Sequence, residues 1–328
     1  MRIAILFSGG LDCTVLARMA HDLLPSDQHI DLINVAFENP RVVQAAKETS
    51  KSKNRTPKTL GANTQKEEGN GTAMRPGNFS EISPYECCPD RETGRKSFQE
   101  LQDVCPGRLW RFIAVISPPS SGLQSLMSCQ VNIPYTETVA HRSKVVNLIC
   151  PHNTEMDLSI AYALYFAARG TGIATSNLDT SSKSYATPAR VLLSGLGADE
   201  LFGGYTRHAT AFNRNGFPGL LDELELDVNR LGKRNLGRDD RVISHWGREA
   251  RFPYLDESLV KWAVECPIWE KCGFYTNKSD EPESLDIEPG KKVLRLLAYE
   301  LGMHSVAREK KRAVSFNLVS IKSLKLIE

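Results

Sequence analysis

The sequence lacks three features that would each assign its class at once. No apolar run approaches the roughly 20 residues of a membrane-spanning helix, and we expect the apolar segment at the N-terminus to be a core strand and not a signal peptide. None of the eight cysteines forms the C-x-x-C pattern of zinc and redox sites. Lys and Arg total 41 against 39 Asp and Glu, and the resulting net charge of +2 does not favour a polyanionic partner. We therefore expect a cytoplasmic protein without membrane or nucleic-acid partners.

The length and the order of apolar patterns indicate the fold class. At 328 residues with 41% hydrophobic residues, the chain can form one large domain or two smaller ones. Strand candidates such as IDLINVAF, LWRFIAVI and KVVNLIC alternate with helical patterns such as DLSIAYALYFAARG, which should end at Gly170. The chain after Gly216 has mainly helical patterns. This order predicts an α/β fold, a doubly wound parallel sheet with a helical C-terminal region.

One segment differs in composition from the rest of the chain. Residues from about 40 to 79 are rich in Lys, Thr, Asn, Gly and Pro and contain almost no large apolar side chain. Such a segment buries too little apolar surface to offset the conformational entropy that ordering costs. We therefore predict a disordered insertion over about residues 40–79, within a domain that otherwise spans residues 1–328.

The stretch AILFSGGLDCTVL joins a strand to a helix through a turn of small residues. The apolar run Ile3–Phe7 stops at Ser8-Gly9-Gly10, and an apolar stripe with helical spacing follows. Backbone N–H groups at the start of such a helix favour an anion. The turn has neither the G-x-x-x-x-G-K-S/T nor the G-x-G-x-x-G spacing, and it carries an acidic residue, Asp12, in place of a lysine.

A second turn, from Ser194 to Asp199, repeats this arrangement after another apolar strand. Ligands of open α/β sheets bind beyond the carboxyl ends of the strands, so both turns should face the same crevice. Two carboxylates that face a polyphosphate require a cation between them, and Mg²⁺ prefers carboxylate and phosphate oxygens. We therefore predict that Asp12 and Asp199 hold a metal ion on a bound phosphate group. The alternative is that Asp12 only caps its helix.

The same motifs carry a resemblance to a known family. The Ser-Gly-Gly-Leu-Asp stretch resembles the pyrophosphate loop (PP-loop) of the ATP pyrophosphatase superfamily, whose fold is adenine nucleotide α-hydrolase-like. LSGLGADELFGGY, residues 193–205, resembles the signature of the asparagine synthetase C-terminal domain. GREARFPYLDESLV, residues 247–260, and the lysine-bearing segments KKVLRLLA and KKRAVSF resemble later blocks of that domain, in the same order.

The resemblance implies ATP and Mg²⁺ as cofactors, and it implies a role for each matching residue. Asp12 and Asp199 match the magnesium ligands. Lys310 or Lys311 matches the lysine that stabilises charge during adenylation, and the register leaves the choice between them open. The positions that match ATP-binding residues are Ser8, Gly9, Gly10, Leu11, Asp12, Val35, Ser194 and Gly195.

The resemblance also implies a reaction and its substrates. The side-chain carboxylate of aspartate attacks the α-phosphorus of ATP and releases pyrophosphate, and ammonia then displaces AMP to give asparagine. Glutamine would serve only if a glutaminase domain were supplied. The chain begins Met-Arg, whereas glutamine-dependent members begin Met-Cys, so we expect that domain to be absent.

Two departures from the family pattern leave other functions open. Leu196 stands where the family has a glutamate, and a leucine neither accepts a proton nor binds a cation. Cys13 stands where a serine is usual, which replaces a good hydrogen-bond donor with a weak one. The first alternative is an ATP-binding pseudoenzyme that acts as an interaction module. The second is a ligase of the same type that acts on another carboxylate, as in β-lactam synthesis.

Overall fold

The computed structural model describes residues 2–38, 88–115, 133–176, 183–275 and 287–310. The insertion predicted for about residues 40–79 and the predicted site residue Lys311 lie outside these ranges. Within them, every helix is too short or too polar to cross a membrane.

The described residues form one seven-stranded sheet of order β5-β4-β3-β2-β1-β6-β7. Five strands are parallel, and β4 and β5 are antiparallel to their neighbours. The predicted α/β class is confirmed, with two antiparallel strands added at one edge of the sheet. Residues 177–182 join β4 to β5, a connection shorter than the dozen or more residues, roughly, of a parallel crossover. The strands are β1 Ile3–Leu6, β2 Ile30–Asn34, β3 Trp110–Val115, β4 Thr171–Ser176, β5 Lys183–Ala186, β6 Val191–Leu193 and β7 Glu249–Arg251.

Helices cover both faces of the sheet and make up most of the C-terminal region. A π-helical turn and a 3₁₀ turn, Gly232–Leu236 and Pro253–Leu255, lie among them. The α-helices in the described ranges are α1 Leu11–Leu23, α2 Pro89–Val104, α3 Tyr135–Ala140, α4 Arg142–Ile149, α5 Glu155–Arg169, α6 Ala198–Phe202, α7 Thr206–Leu231, α8 Gly237–Ser244, α9 Glu257–Glu265, α10 Ile268–Lys271, α11 Lys292–Glu300 and α12 His304–Arg308.

Successive residues of the central strands pack into two different cores. Ile5 of β1 and Phe112 of β3 belong to the core that α1, α2, α11 and α12 cover. Their chain neighbours Ala4 and Ile113 belong to the core on the other face, beneath α4, α5 and α8. Side chains alternate between the faces of a strand, so a strand buried on both faces is apolar throughout. This explains the continuous apolar runs in the sequence.

The strand predicted for KVVNLIC is wrong, because this segment forms most of α4. Val145 and Ile149 are buried four residues apart. Lys144, just before them, and Asn147, between them, are exposed. This spacing places the apolar side chains on one helical stripe, which packs on the second core. The helix predicted to end at Gly170 does so in α5, and Gly170 has a left-handed φ of +68°.

Candidate active site

Sheet topology brings the two small-residue turns together. β1 pairs in parallel with β2 on one side and with β6 on the other, so the strand order reverses between β1 and β6. Open α/β sheets bind ligands at such a reversal, beyond the carboxyl ends of the strands. Ile5 pairs with Leu193, and the turns that follow them therefore lie side by side. A Cβ added to Gly195 would lie 3.0 Å from the Cβ of Asp12.

The first turn is held against α2 at a point where only glycine fits. Gly9 has a φ of +83°, and an added Cβ would lie 2.5 Å from the backbone of Gly94. Ser97 Oγ donates to the Gly9 carbonyl at 2.6 Å, and Asn34 Nδ2 donates to the Phe7 carbonyl at 2.9 Å. The turn is therefore fixed by α2 and β2 before any ligand binds.

Cys13 contacts the backbone of the first turn. Its Sγ donates to the Gly10 carbonyl at 3.2 Å and lies 3.6 Å from Ser8 Oγ. Burial raises the pKa of the Cys13 thiol, so the sulfur stays protonated. Thr14 Oγ1 donates to the same carbonyl at 2.8 Å. The Cys13 thiol thus supports the turn from within.

Gly9→Ala is expected to lower the free energy of unfolding by about 3 kcal/mol, since the new Cβ meets backbone that cannot rotate away and the residue keeps an unfavourable φ. Gly10→Ala is the matched control. Gly10 has a φ of −69°, and the nearest atom to its added Cβ is Ser8 Oγ at 3.5 Å. Gly10→Ala should lower the free energy of unfolding by less than about 1 kcal/mol. Urea unfolding monitored by circular dichroism measures both, and equal losses would contradict this account of the turn.

The second turn is held by a buried carboxylate. Gly197 has a φ of +103°, and its N–H donates to Glu200 Oε2 at 3.2 Å. Tyr205 donates its hydroxyl to Glu200 Oε1 at 2.6 Å. Burial raises the pKa of Glu200, although the hydrogen bond from Tyr205 opposes this shift. These contacts fix the start of α6 and with it the position of Asp199.

The carboxylates of the two turns meet on one lysine that the sequence did not assign to the site. Lys291 Nζ lies 2.6 and 2.7 Å from the two carboxylate oxygens of Asp12 and 2.7 Å from Asp199 Oδ1. The Lys291 side chain is 7% exposed, and the two aspartate side chains are 22% exposed each. Gly204 leaves room for this contact, because an added Cβ there would lie 1.8 Å from Asp199 Oδ1.

The electrostatics of this cluster favour a positive charge between the turns. Burial alone lowers the pKa of Lys291, but Asp12 and Asp199 outweigh burial and raise it above its ordinary value. Oxygens from both carboxylates lie within hydrogen-bond distance of a single point, and carboxylate oxygens are the ligands that Mg²⁺ prefers. The residues therefore fit a divalent cation bound with phosphate. In the described ranges, no group of three or more His, Cys, Asp or Glu residues could hold a metal ion by itself.

Arg295 connects the two C-terminal lysine segments. Its Nε donates to the carbonyl of Gly290, the residue before Lys291, at 3.0 Å. Its Nη1 donates to the carbonyl of Glu309, the residue before Lys310, at 2.8 Å. The Arg295 residue is 3% exposed. One buried guanidinium therefore fixes the backbone that precedes both lysines.

Arg295→Met is expected to lower the free energy of unfolding by about 3 kcal/mol, because it removes this donor from the buried Ala307 carbonyl and from the part-buried carbonyls of Gly290 and Glu309. Arg308→Met removes the same charge from an exposed position on α12, and its effect should stay within about 0.5 kcal/mol. Urea titration of the two variants checks the difference. An Arg295→Met protein as stable as Arg308→Met would show that the guanidinium does not organise these segments.

Comparison with known proteins identifies the family of one part of the chain. Residues 173–222 and 218–323 match the family described as Asparagine synthase. This part of the chain is an asparagine synthase domain. The matched region contains the second turn and the segments of Lys291 and Lys310, so the part of the site that follows β6 lies within the family domain.

Two asparagine synthetase domain-containing relatives match nearly the whole chain, and a third relative matches about a quarter of it. Human asparagine synthetase domain-containing protein 1 is 38% identical over 96% of this chain and 44% of its own length. An asparagine synthetase domain-containing protein of Saccharomyces cerevisiae is 33% identical over 98% of this chain and 48% of its own length. A glutamine-hydrolyzing asparagine synthetase of Zea mays is 34% identical over 27% of this chain and 15% of its own length. The chain thus spans less than half the length of these relatives.

The structure places most residues that the sequence assigned to the site at one edge of the sheet. Ser8–Asp12 and Ser194–Asp199 form the two adjacent turns, and half-buried Val35 directly follows the neighbouring strand β2. Lys310 is exposed. Lys311 lies outside the described residues, so the choice between these two lysines stays a prediction.

Lys291 is the functional candidate that sequence reasoning missed. The segment KKVLRLLA carries it, and the family resemblance marked that segment as lysine-bearing without a role for either lysine. Two successive lysines are typical of a solvent-exposed helix start. The position of each lysine relative to Gly290 and to the apolar stripe of α11 could have distinguished the two. Lys291 is buried, and Lys292 is half-buried.

Proposed function

We propose that the chain is an ATP-dependent amide ligase. In the proposed reaction, a side-chain oxygen of aspartate bonds to the α-phosphorus of ATP, and the bond to pyrophosphate breaks. Ammonia then attacks the acyl carbon, AMP leaves with the transferred oxygen, and the ammonium proton passes to solvent. The products are asparagine, AMP and pyrophosphate. The asparagine synthase domain supports this proposal.

The observation that carries the proposal is the convergence of Asp12 and Asp199 on one cationic position. They come from two turns at the strand-order reversal, and both contact Lys291 Nζ within 2.7 Å. A polyphosphate at this edge would meet the N–H groups of the first turn and a cation held by both carboxylates. This is the arrangement that departure of pyrophosphate requires, because negative charge accumulates on the leaving group.

Each part of the site has a distinct task in this reaction. The Ser8–Gly10 turn binds phosphate oxygens through its backbone, and α2 and β2 keep it in place. Mg²⁺, when bound, neutralises charge on the phosphates as a Lewis acid. The Lys291 ammonium adds a positive charge that the fold holds at the same edge of the sheet. Arg295 positions the segment that leads to Lys310.

A second candidate function follows from Leu196. This residue is half-buried in the second turn, where the family has a glutamate. A leucine there removes one group able to take a proton or hold charge at the reacting centre. The alternative is therefore an ATP-binding protein with weak or no turnover that serves as an interaction module.

Pyrophosphate release tests the proposed function. The chain is incubated with Mg²⁺-ATP, with and without aspartate, and with and without ammonium. We expect release that depends on aspartate and asparagine formation that also requires ammonium. Binding of Mg²⁺-ATP without any release would favour the interaction module, and release with a different carboxylate in place of aspartate would favour a ligase of other specificity.

A further inference from the structure

Lys291 occupies the place that a divalent cation would take between the two turns. Its Nζ lies within 2.7 Å of both oxygens of Asp12 and one oxygen of Asp199. A cation that contacted all three of these oxygens would overlap with the ammonium. The two cations therefore compete for one position.

The fold holds the lysine in this position. The Lys291 N–H donates to the Phe202 carbonyl at 2.8 Å, and Lys291 has a left-handed φ of +60°. Gly204 lines the side chain so closely that an added Cβ would lie 2.3 Å from Lys291 Cε. With 7% of the side chain exposed, the ammonium has little access to water if it leaves the carboxylates.

We propose that Lys291 fills the cation position in the nucleotide-free protein, so that the two aspartates accept a divalent cation only together with a polyphosphate. This inference deepens the proposed function and rests on it. A divalent cation arriving alone would displace a buried ammonium without offering it another anion, and an unpaired buried charge is costly. A polyphosphate arriving with the cation supplies that anion, because its oxygens pair with the displaced ammonium.

The test measures binding of Mn²⁺ alone to nucleotide-free protein, by the loss of the free-ion electron paramagnetic resonance signal. The wild-type protein is expected to bind Mn²⁺ weakly. Lys291→Met removes the competing ammonium from the two carboxylates, and its Mn²⁺ affinity should rise by at least about tenfold. Lys291→Gln is neutral but keeps a hydrogen-bond donor, and it should show the same rise if the methionine variant does not fold.

Two variants show that the effect belongs to the charge and to this position. Lys291→Arg keeps a cation between the carboxylates and should bind Mn²⁺ as weakly as the wild type. Lys292→Met is the matched control, because Lys292 is the next residue and donates to the Trp269 carbonyl at 3.1 Å. It should also behave as the wild type. Adding Asp12→Asn to Lys291→Met should remove the gained affinity.

The outcomes separate this inference from the proposed function. The inference would be overturned if Lys291→Met and Lys291→Gln bound Mn²⁺ with the same affinity as the wild type. Tight binding of Mn²⁺ by the nucleotide-free wild type would overturn it as well. Failure of the wild type to bind Mg²⁺-ATP would instead count against the proposed nucleotide site. The gain in Mn²⁺ affinity is measured without nucleotide and does not depend on that result.

Discussion

Asp12→Asn is expected to weaken Mg²⁺-ATP binding by at least about a hundredfold, because it removes one of the two carboxylate charges at the cation position. The side chain keeps its size, and Lys291 keeps Asp199 as a partner, so the fold should persist. Isothermal titration calorimetry with Mg²⁺-ATP in the absence of aspartate measures the affinity, and circular dichroism confirms that the variant is folded.

Asp22→Asn provides the matched control for this variant. Asp22 lies near the other end of α1, 49% exposed, and pairs with Arg18 at 2.6 Å. The same change of charge on the same helix should leave Mg²⁺-ATP affinity unaltered, since an exposed pair contributes little. If Asp12→Asn and Asp22→Asn bind Mg²⁺-ATP equally well, Asp12 does not hold the metal.

Leu196→Glu is expected to raise the rate of asparagine formation by about a hundredfold, with little change in Mg²⁺-ATP affinity. The N–H of Leu196 donates to Ser194 Oγ at 3.3 Å, and this contact does not depend on the side chain. The substitution should therefore change the rate of asparagine formation without changing the affinity for Mg²⁺-ATP. The native chain is expected to bind Mg²⁺-ATP well and to form asparagine slowly.

Leu196→Gln is the control for the charge of the new side chain. It has the size of glutamate without the carboxylate, so its rate should stay at the native level. The new carboxylate of Leu196→Glu would be half-buried, and burial raises the pKa of a carboxyl group. Rates are therefore compared across a pH series. A native chain that already works at roughly 1 s⁻¹ or faster would contradict the account of Leu196. An inactive Leu196→Glu that still binds ATP would favour the interaction module.

The sequence predicted the elements whose signals are local. The β1 strand, the Ser8–Gly10 turn and α1 follow from an apolar run, small residues and a helical stripe. The β6 strand and its turn follow for the same reasons. Because parallel strands place their carboxyl ends at one edge, the sequence also predicted that Asp12 and Asp199 lie near each other.

Elements that depend on tertiary contacts escaped this reasoning. Val145 and Ile149 fit a strand run as well as a helical stripe, and packing on the second core selects the helix. The antiparallel direction of β4 and β5 follows from connection length and pairing, which the apolar pattern does not contain. Lys291 lies 92 residues after Asp199 in the sequence, and only the fold brings it between Asp12 and Asp199.

The transfer of an oxygen isotope from aspartate to AMP tests the central claim most directly. The chain is incubated with Mg²⁺-ATP, ammonium and aspartate that carries ¹⁸O in its side-chain carboxylate, and the AMP is analysed by mass spectrometry. If the side-chain carboxylate attacks the α-phosphorus, each AMP formed with asparagine carries one oxygen from aspartate. AMP without the label, or ADP as the nucleotide product, would contradict the account.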